Sequence, residues 1–292
     1  MPRARAASAA MTGFASRRVY EVWTQLVQDE GLYEAVLAGT HAQLADRALD
    51  AEAIAILDQF QAEPGTRWNV ENLRFRSALE TGDTLVSYLP RAVRMLTRGD
   101  DDWRQDMCFE YLARHRWQAL GHHRLAECAR FAEYIRTHIM KRRLTPPHLE
   151  DVLAFELAVV QLIRATANVP AEAWPVARAW TDDELAGARP RRSPVQTVLD
   201  LALDLRPWIE SADPLQGEPG PEPITLLIHI PSLDEPHRIK TISDGVRVVL
   251  ERCDGERTVA ELARELEDEY ELPAADVHRL VRALLDERIL AA

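Results

Sequence analysis

What this chain of 292 residues has little of excludes several classes of function at the outset. No apolar run approaches the roughly 20 residues that span a bilayer, so no transmembrane helix is expected. Three cysteines, Cys108, Cys128 and Cys253, are too few and too scattered for a disulfide framework or a Cys-x-x-Cys metal site, which suits a reducing cytoplasm. The 12 glycines fall at turns and caps, and none builds a Walker loop, a nucleophile elbow or a dinucleotide fingerprint. Residues 1–16 carry Arg3 and Arg5 among small residues with no apolar stretch, so they are not a secretory signal. They are expected to form a disordered tail, within which Met11 is an alternative start.

Basic charge is scarce where it would matter most. From Val195 to Ala292 there are 10 Lys and Arg against 21 Asp and Glu, a formal charge of −11, while the whole chain carries −12. A nucleic-acid reader draws most of its affinity from phosphate neutralisation and needs a basic face. The last third therefore argues against DNA, although its pattern is that of a winged helix. Ile224–Ile230 is an apolar β-branched run, residues 231–236 are turn-forming, and His237–Ile242 alternates polar with apolar. Three amphipathic helices follow. The first starts at Ser243, the second opens with the capping-box pattern Thr258–Glu261, and the third runs from Pro273 with Val277, Leu280, Val281 and Leu284 inward. Before them, Val195–Trp208 shows Leu199, Leu201, Leu203 and Leu205 at alternate positions. It is expected to be the first strand of the sheet, with a short helix as the alternative.

Such a module reads either nucleic acid or peptide, and the acidic balance favours peptide. An extended segment adds to a sheet edge and a neighbouring helix supplies side-chain pockets. The expected groove lies between His237, Arg238, Ile239, Lys240, Thr241 and Ile242 and the third helix, with Asp276, Arg279, Leu280, Arg282 and Ala283 facing it. Arg238, Lys240, Arg279 and Arg282 are expected to form a local basic cluster suited to acidic residues of the peptide. The alternative is a DNA-binding transcription regulator with a helical dimerisation domain.

The first two thirds read as helices: Arg18–Leu37, Ala51–Phe60, Asn69–Glu80, Thr84–Leu96, Asp100–Trp117, Leu125–His138 and His148–Ala165. The fold class expected is α+β, an all-α domain over 18–167 followed by a small domain over 195–292 with a three-stranded antiparallel sheet and three helices. Residues 168–194, punctuated by Pro170, Pro175, Pro190 and Pro194, read as a linker. The histidines His115, His122, His123, His138 and His148 lack metal-ligand spacing, so structural roles are expected and no metal or catalytic residue is assigned.

Two stretches, Arg130–Ile135 and Pro146–Glu156, resemble partner subunits of multinuclear non-heme iron-dependent oxidative enzymes, which act in the biosynthesis of ribosomally made, post-translationally modified peptides (RiPPs). The C-terminal third, through Ile224–Ile242, Asp244, Leu250, Asp254–Gly255 and Thr258–Leu262, resembles the RiPP recognition element typified by the pyrroloquinoline-quinone peptide chaperone. The resemblance implies a division of labour. A separate TIM-barrel enzyme holds the iron ions, and this chain carries no cofactor, pairs with that enzyme as a heterodimer and delivers the leader of a precursor peptide. Phe131, Tyr134, His138, His148, Asp151 and Phe155 are the residues it implies for the enzyme interface. Gly245-Val-Arg departs from the Thr-Ala more usual before the module's first helix.

Overall fold

The computed structural model describes residues 16–44, 47, 49–115, 124–140, 146–211, 213 and 215–292. The expected tail, Ser16 apart, and His122 and His123 lie outside the described residues. In chain order the helices are α1 (Ser16–Gln28), α2 (Glu30–Ala38), α3 (Ala51–Ala62), α4 (Thr66–Tyr88), α5 (Pro90–Thr97), α6 (Asp101–His115), α7 (Arg124–Tyr134), α8 (Leu149–Thr166), α9 (Asp182–Gly187), α10 (Arg206–Ile209), α11 (Asp244–Arg252), α12 (Val259–Tyr270) and α13 (Ala274–Asp286). The strands are β1 (Arg191–Arg192), β2 (Gln196–Leu201), β3 (Ile224–His229), β4 (Arg238–Thr241) and β5 (Leu290–Ala291). The fold is α+β, a helical part with a small antiparallel sheet domain.

Two compact units emerge. One comprises Met1–Ser87 with Thr97–Thr137, the other Tyr88–Leu96 with His138–Ala292. The boundary expected near residue 167 is not where the structure divides, because α8 packs against β2 and β3.

The first unit is helical. Asp29 accepts a hydrogen bond from the Leu32 N–H and starts α2, so the expected helix Arg18–Leu37 is two helices. Asp50 caps α3 in the same way through the Ala53 N–H. Between them Val22, Leu26, Val36, Ile56 and Leu57 are buried, and Trp23 meets Phe60 edge-on with centroids 5.3 Å apart.

In the second unit the sheet order is β2-β3-β4, antiparallel throughout. Asp200 faces Thr225 and Leu201 faces Ile224; on the other side of β3, Leu227 faces Lys240 and His229 faces Arg238. Alternation sends Val198, Leu227 and Ile242 to one face. There they pack with Val249, Leu250, Leu262, Leu266, Val277, Val281 and Leu284 of α11 to α13. Leu226 and Ile228, also buried, belong to the opposite face, where α8 lies. The sheet is thus covered on both faces. The leucine alternation of Val195–Trp208 holds as strand only to Leu201, and the short α10 with Pro207 near its start follows.

Residues 180–192 are not a linker. Thr181 and Glu184 form a full capping box at α9. Leu185 enters the same core as Leu227, with Trp180 and Ala188 against it. The Ala188 carbonyl accepts from the Val259 N–H at 2.9 Å, and β1 pairs with β5. The prolines mark corners of a segment that belongs to the domain.

Glu156 is buried in this unit. Its carboxylate accepts the N–H groups of Arg91 at 2.8 Å and Ala92 at 3.1 Å, capping α5, while the Arg91 guanidinium donates to the Trp208 and Ile209 carbonyls. Burial outweighs these donors and pushes its pKa up to about 7.

Candidate functional site

The exposed edge of the sheet is built by β4. The Ile242 N–H donates to the Thr225 carbonyl at 3.0 Å, and an antiparallel ladder alternates sides residue by residue. Arg238, Lys240 and Ile242 therefore turn their N–H and C=O inward to β3, while those of Ile239 and Thr241 lie on the outer edge. No partner strand occupies that edge among the described residues. The opposite edge is treated differently, since Asp151 of α8 accepts from the Ala202 N–H at 3.0 Å just beyond β2. An open edge is where an additional strand can pair.

Along α13, Asp276, Leu280, Ala283 and Glu287 succeed one another at three- and four-residue steps on one face. Glu287 reaches Lys240 of β4 at 2.5 Å, which joins that face to the strand. Leu280 is half-buried against the core, and Asp276 and Ala283 are exposed. His237, just before β4, is half-buried; its pKa is lowered by burial first and then by the charge of Arg91.

The expected basic cluster does not form. Arg238 pairs with Glu235, Lys240 with Glu287 and Arg279 with Asp276, and Arg279 is 79% exposed. Arg282 turns to α9, donating to the Trp180 carbonyl at 2.6 Å and pairing with Asp182. Four cations close in sequence pattern are each claimed by a different carboxylate. A chain with so many acids pairs its arginines locally, and sequence spacing does not reveal which acid comes near.

Half of the six residues that the resemblance implied for an enzyme interface are core. Phe131 and Tyr134 are fully buried in the first unit, where both pack on Tyr111 with centroids 5.2 and 5.3 Å apart. Phe155 is buried in the second unit, with the Arg91 guanidinium over its ring at 5.9 Å. Asp151 is spent on β2. His138 is half-buried, and His148 is exposed in the left-handed conformation (φ 68°) before α8, its ring 6.4 Å from Trp208. The six therefore form no common exposed patch. Exposed aromatic surface lies elsewhere. Trp68 (66% exposed) and Phe75 of α4 line a concavity of about 820 Å³ with Tyr33, Phe109 and the carboxylates of Glu30, Glu71 and Glu110.

Sequence reasoning missed His229. It is fully buried, and neither ring nitrogen has a hydrogen-bond partner among the described residues; nor has Oε1 of Gln196, its direct cross-strand neighbour. The signal available was a histidine inside an otherwise apolar strand.

Among the described residues no three or more His, Cys, Asp or Glu side chains are grouped to hold a metal ion. Cys108 and Cys253 are buried thiols whose pKa is pushed up to about 12 by that burial, which leaves them unreactive. No helix among the described residues is long and apolar enough to cross a membrane. No curated protein matches the chain. Residues 242–290, from the end of β4 through α11, α12 and α13 to β5, match the family model of coenzyme PQQ synthesis protein D (PqqD), and that match supports a RiPP recognition element in this chain.

Proposed function

We propose that this chain is a noncatalytic accessory subunit that captures a ribosomally made precursor peptide and presents it to a separate iron-dependent oxidase of the multinuclear non-heme class. The open outer edge of β4, at the start of the PqqD-like helices, carries the reading. The peptide's leader adds as a strand, pairing with the backbone of Ile239 and Thr241, and its side chains meet the face of α13 that bears Leu280 and Ala283. Iron belongs to the enzyme, a TIM barrel in this reading, and the role of this chain is to bind and orient. Docking on that enzyme requires surface exposed in the folded chain. Buried Phe131, Tyr134 and Phe155 do not qualify, whereas the concavity round Trp68 and Phe75 does. The pairing of Arg279 with Asp276 and of Arg282 with Asp182 weighs against the DNA-reading alternative, since both cations of its recognition helix are already neutralised.

The test uses a fluorescently labelled peptide selected on the full chain from a random library, and measures its anisotropy on that chain. Ile239→Pro removes an outward N–H on an edge strand, where proline is tolerated, so the fold should persist while affinity falls by about tenfold or more, the worth of a lost backbone pairing to an edge. Unchanged affinity in that variant would overturn the edge-addition mechanism.

A further inference from the structure

One and two strands inward of the same edge stand two polar side chains with nothing to bind. His229 ends β3 with 0% exposure, and directly opposite it on β2 stands Gln196. The imidazole nitrogens and the Gln196 Oε1 lack partners among the described residues. Burial of such groups is costly when they are unpaired, so their retention beside the apolar run Leu226–Ile228 calls for a use. Their position suggests one. On the other side of β3, His229 faces Arg238, and Arg238 and Lys240 share its face of the sheet.

The charged groups that act on His229 are Arg238, Glu287, Lys240 and Glu235, and they are joined in ion pairs. Lys240 meets Glu287 at 2.5 Å, and Glu235 is held between Arg238 at 2.5 Å and Arg288 at 2.6 Å. These ion pairs are partly solvent-exposed and therefore weak, so they can open at little cost. Arg288 sits in the left-handed region at φ 60°, which is unfavourable for a residue with a side chain and places strain next to Glu287.

We propose that His229 and Gln196 are a concealed polar subsite, closed in the free chain by the Lys240–Glu287 and Arg238–Glu235–Arg288 pairs, which receives a neutral amide or hydroxyl side chain of the captured peptide. The inference rests on the peptide-capture reading. A neutral imidazole offers one donor and one acceptor, and Gln196 Oε1 adds an acceptor. A side chain that both donates and accepts satisfies them together. A charged side chain fits less well, because each of these ions already has a partner of opposite sign and the strands beneath are apolar.

A random dodecapeptide library panned against the full chain tests this, with His229→Leu and His229→Gln panned in parallel. The wild-type chain should fix Asn, Gln, Ser or Thr at one position of the selected peptides. Replacing that residue by Ala should cost about tenfold in affinity for the wild type and for His229→Gln, but little for His229→Leu. A second readout does not depend on the Leu variant folding. The chain has two lysines, Lys141 and Lys240, so reductive ¹³C-methylation gives Lys240 its own NMR signal. That signal should shift on addition of a selected peptide, and not with its Ala version. An identical preference in a folded His229→Leu variant, or a Lys240 signal unmoved by a bound peptide, would overturn the subsite alone. Recovery of no peptide, or of peptides indifferent to Ile239→Pro, would overturn the capture reading beneath it.

Discussion

Glu156 and His229 are two buried ionisable side chains of the second unit whose burial acts in opposite directions. The Glu156 pKa rises to about 7 in the folded chain, above the ordinary carboxylate value. Between about pH 4.5 and 7 the folded state then holds a proton that the unfolded state has released, so this group's contribution to stability is lost as pH rises through that window. The His229 pKa falls to about 4, chiefly through desolvation. From about pH 6.5 down to 4 the unfolded state gains a proton that the folded state refuses, and stability is lost as pH falls. The two slopes partly cancel, and single variants are needed to separate them. Urea unfolding across pH 4–7.5 should show Glu156→Gln more stable relative to wild type at neutral pH than at pH 4. His229→Leu should lose the acid-side decline. If neither variant alters the slope, the burial described for these groups is wrong. At this scale the sequence was only partly legible. The helix start expected at Ala51 holds, because the capping chemistry of Asp50 before it is local. Phe131, Tyr134 and Phe155 lie on apolar stripes that periodicity identifies well, but periodicity does not say whether a stripe is covered by its own chain or by another.

Elements were easier to foresee than their ends. The helices expected at Asn69–Glu80 and Thr84–Leu96 are a continuous α4 that passes through Gly82 and then α5, which starts at Pro90. Gly82 is tolerated inside the helix because a neighbour fills its place: a Cβ there would meet Cys108 Sγ at 3.6 Å. The break moves to proline, which cannot continue a helix but suits its first position. Residues 168–194 were misread for a similar reason. Beside their prolines stands Thr181-Asp-Asp-Glu184, a capping-box signature as clear as Thr258–Glu261. Leu185, which that box positions, joins the main core at 1% exposure. Leu185→Ala should cost about 2–5 kcal/mol, measured by urea denaturation. A loss below about 0.5 kcal/mol would return the segment to linker status.

For the whole molecule, hydrophobic periodicity foresaw the class, α+β with a small antiparallel sheet, and placed the strands of the last third because period two is plain there. It did not foresee the division into units, since that depends on which helix covers the sheet, and α8 looks like any other amphipathic helix. The PqqD match at residues 242–290 is narrower than the physical domain. Its core takes in Leu185, Val198 and Leu227, all outside the match. A fragment of residues 242–292 should therefore show no cooperative thermal transition by circular dichroism, whereas the full chain should. A cooperative transition of the fragment would mean the three helices are self-sufficient and the sheet is accessory.

Residues 88–96 belong with the second unit although both neighbouring stretches belong with the first. Synthesis on a ribosome turns this into a matter of timing. The amides of Arg91 and Ala92 leave the tunnel well ahead of the carboxylate that caps them, Arg91 by 65 residues. At about 5–20 residues per second, α5 waits roughly 3–13 s for Glu156. During that interval the first unit can complete only by looping around an unfinished helix, so a nascent chain stalled near residue 140 should expose α5 to chaperones.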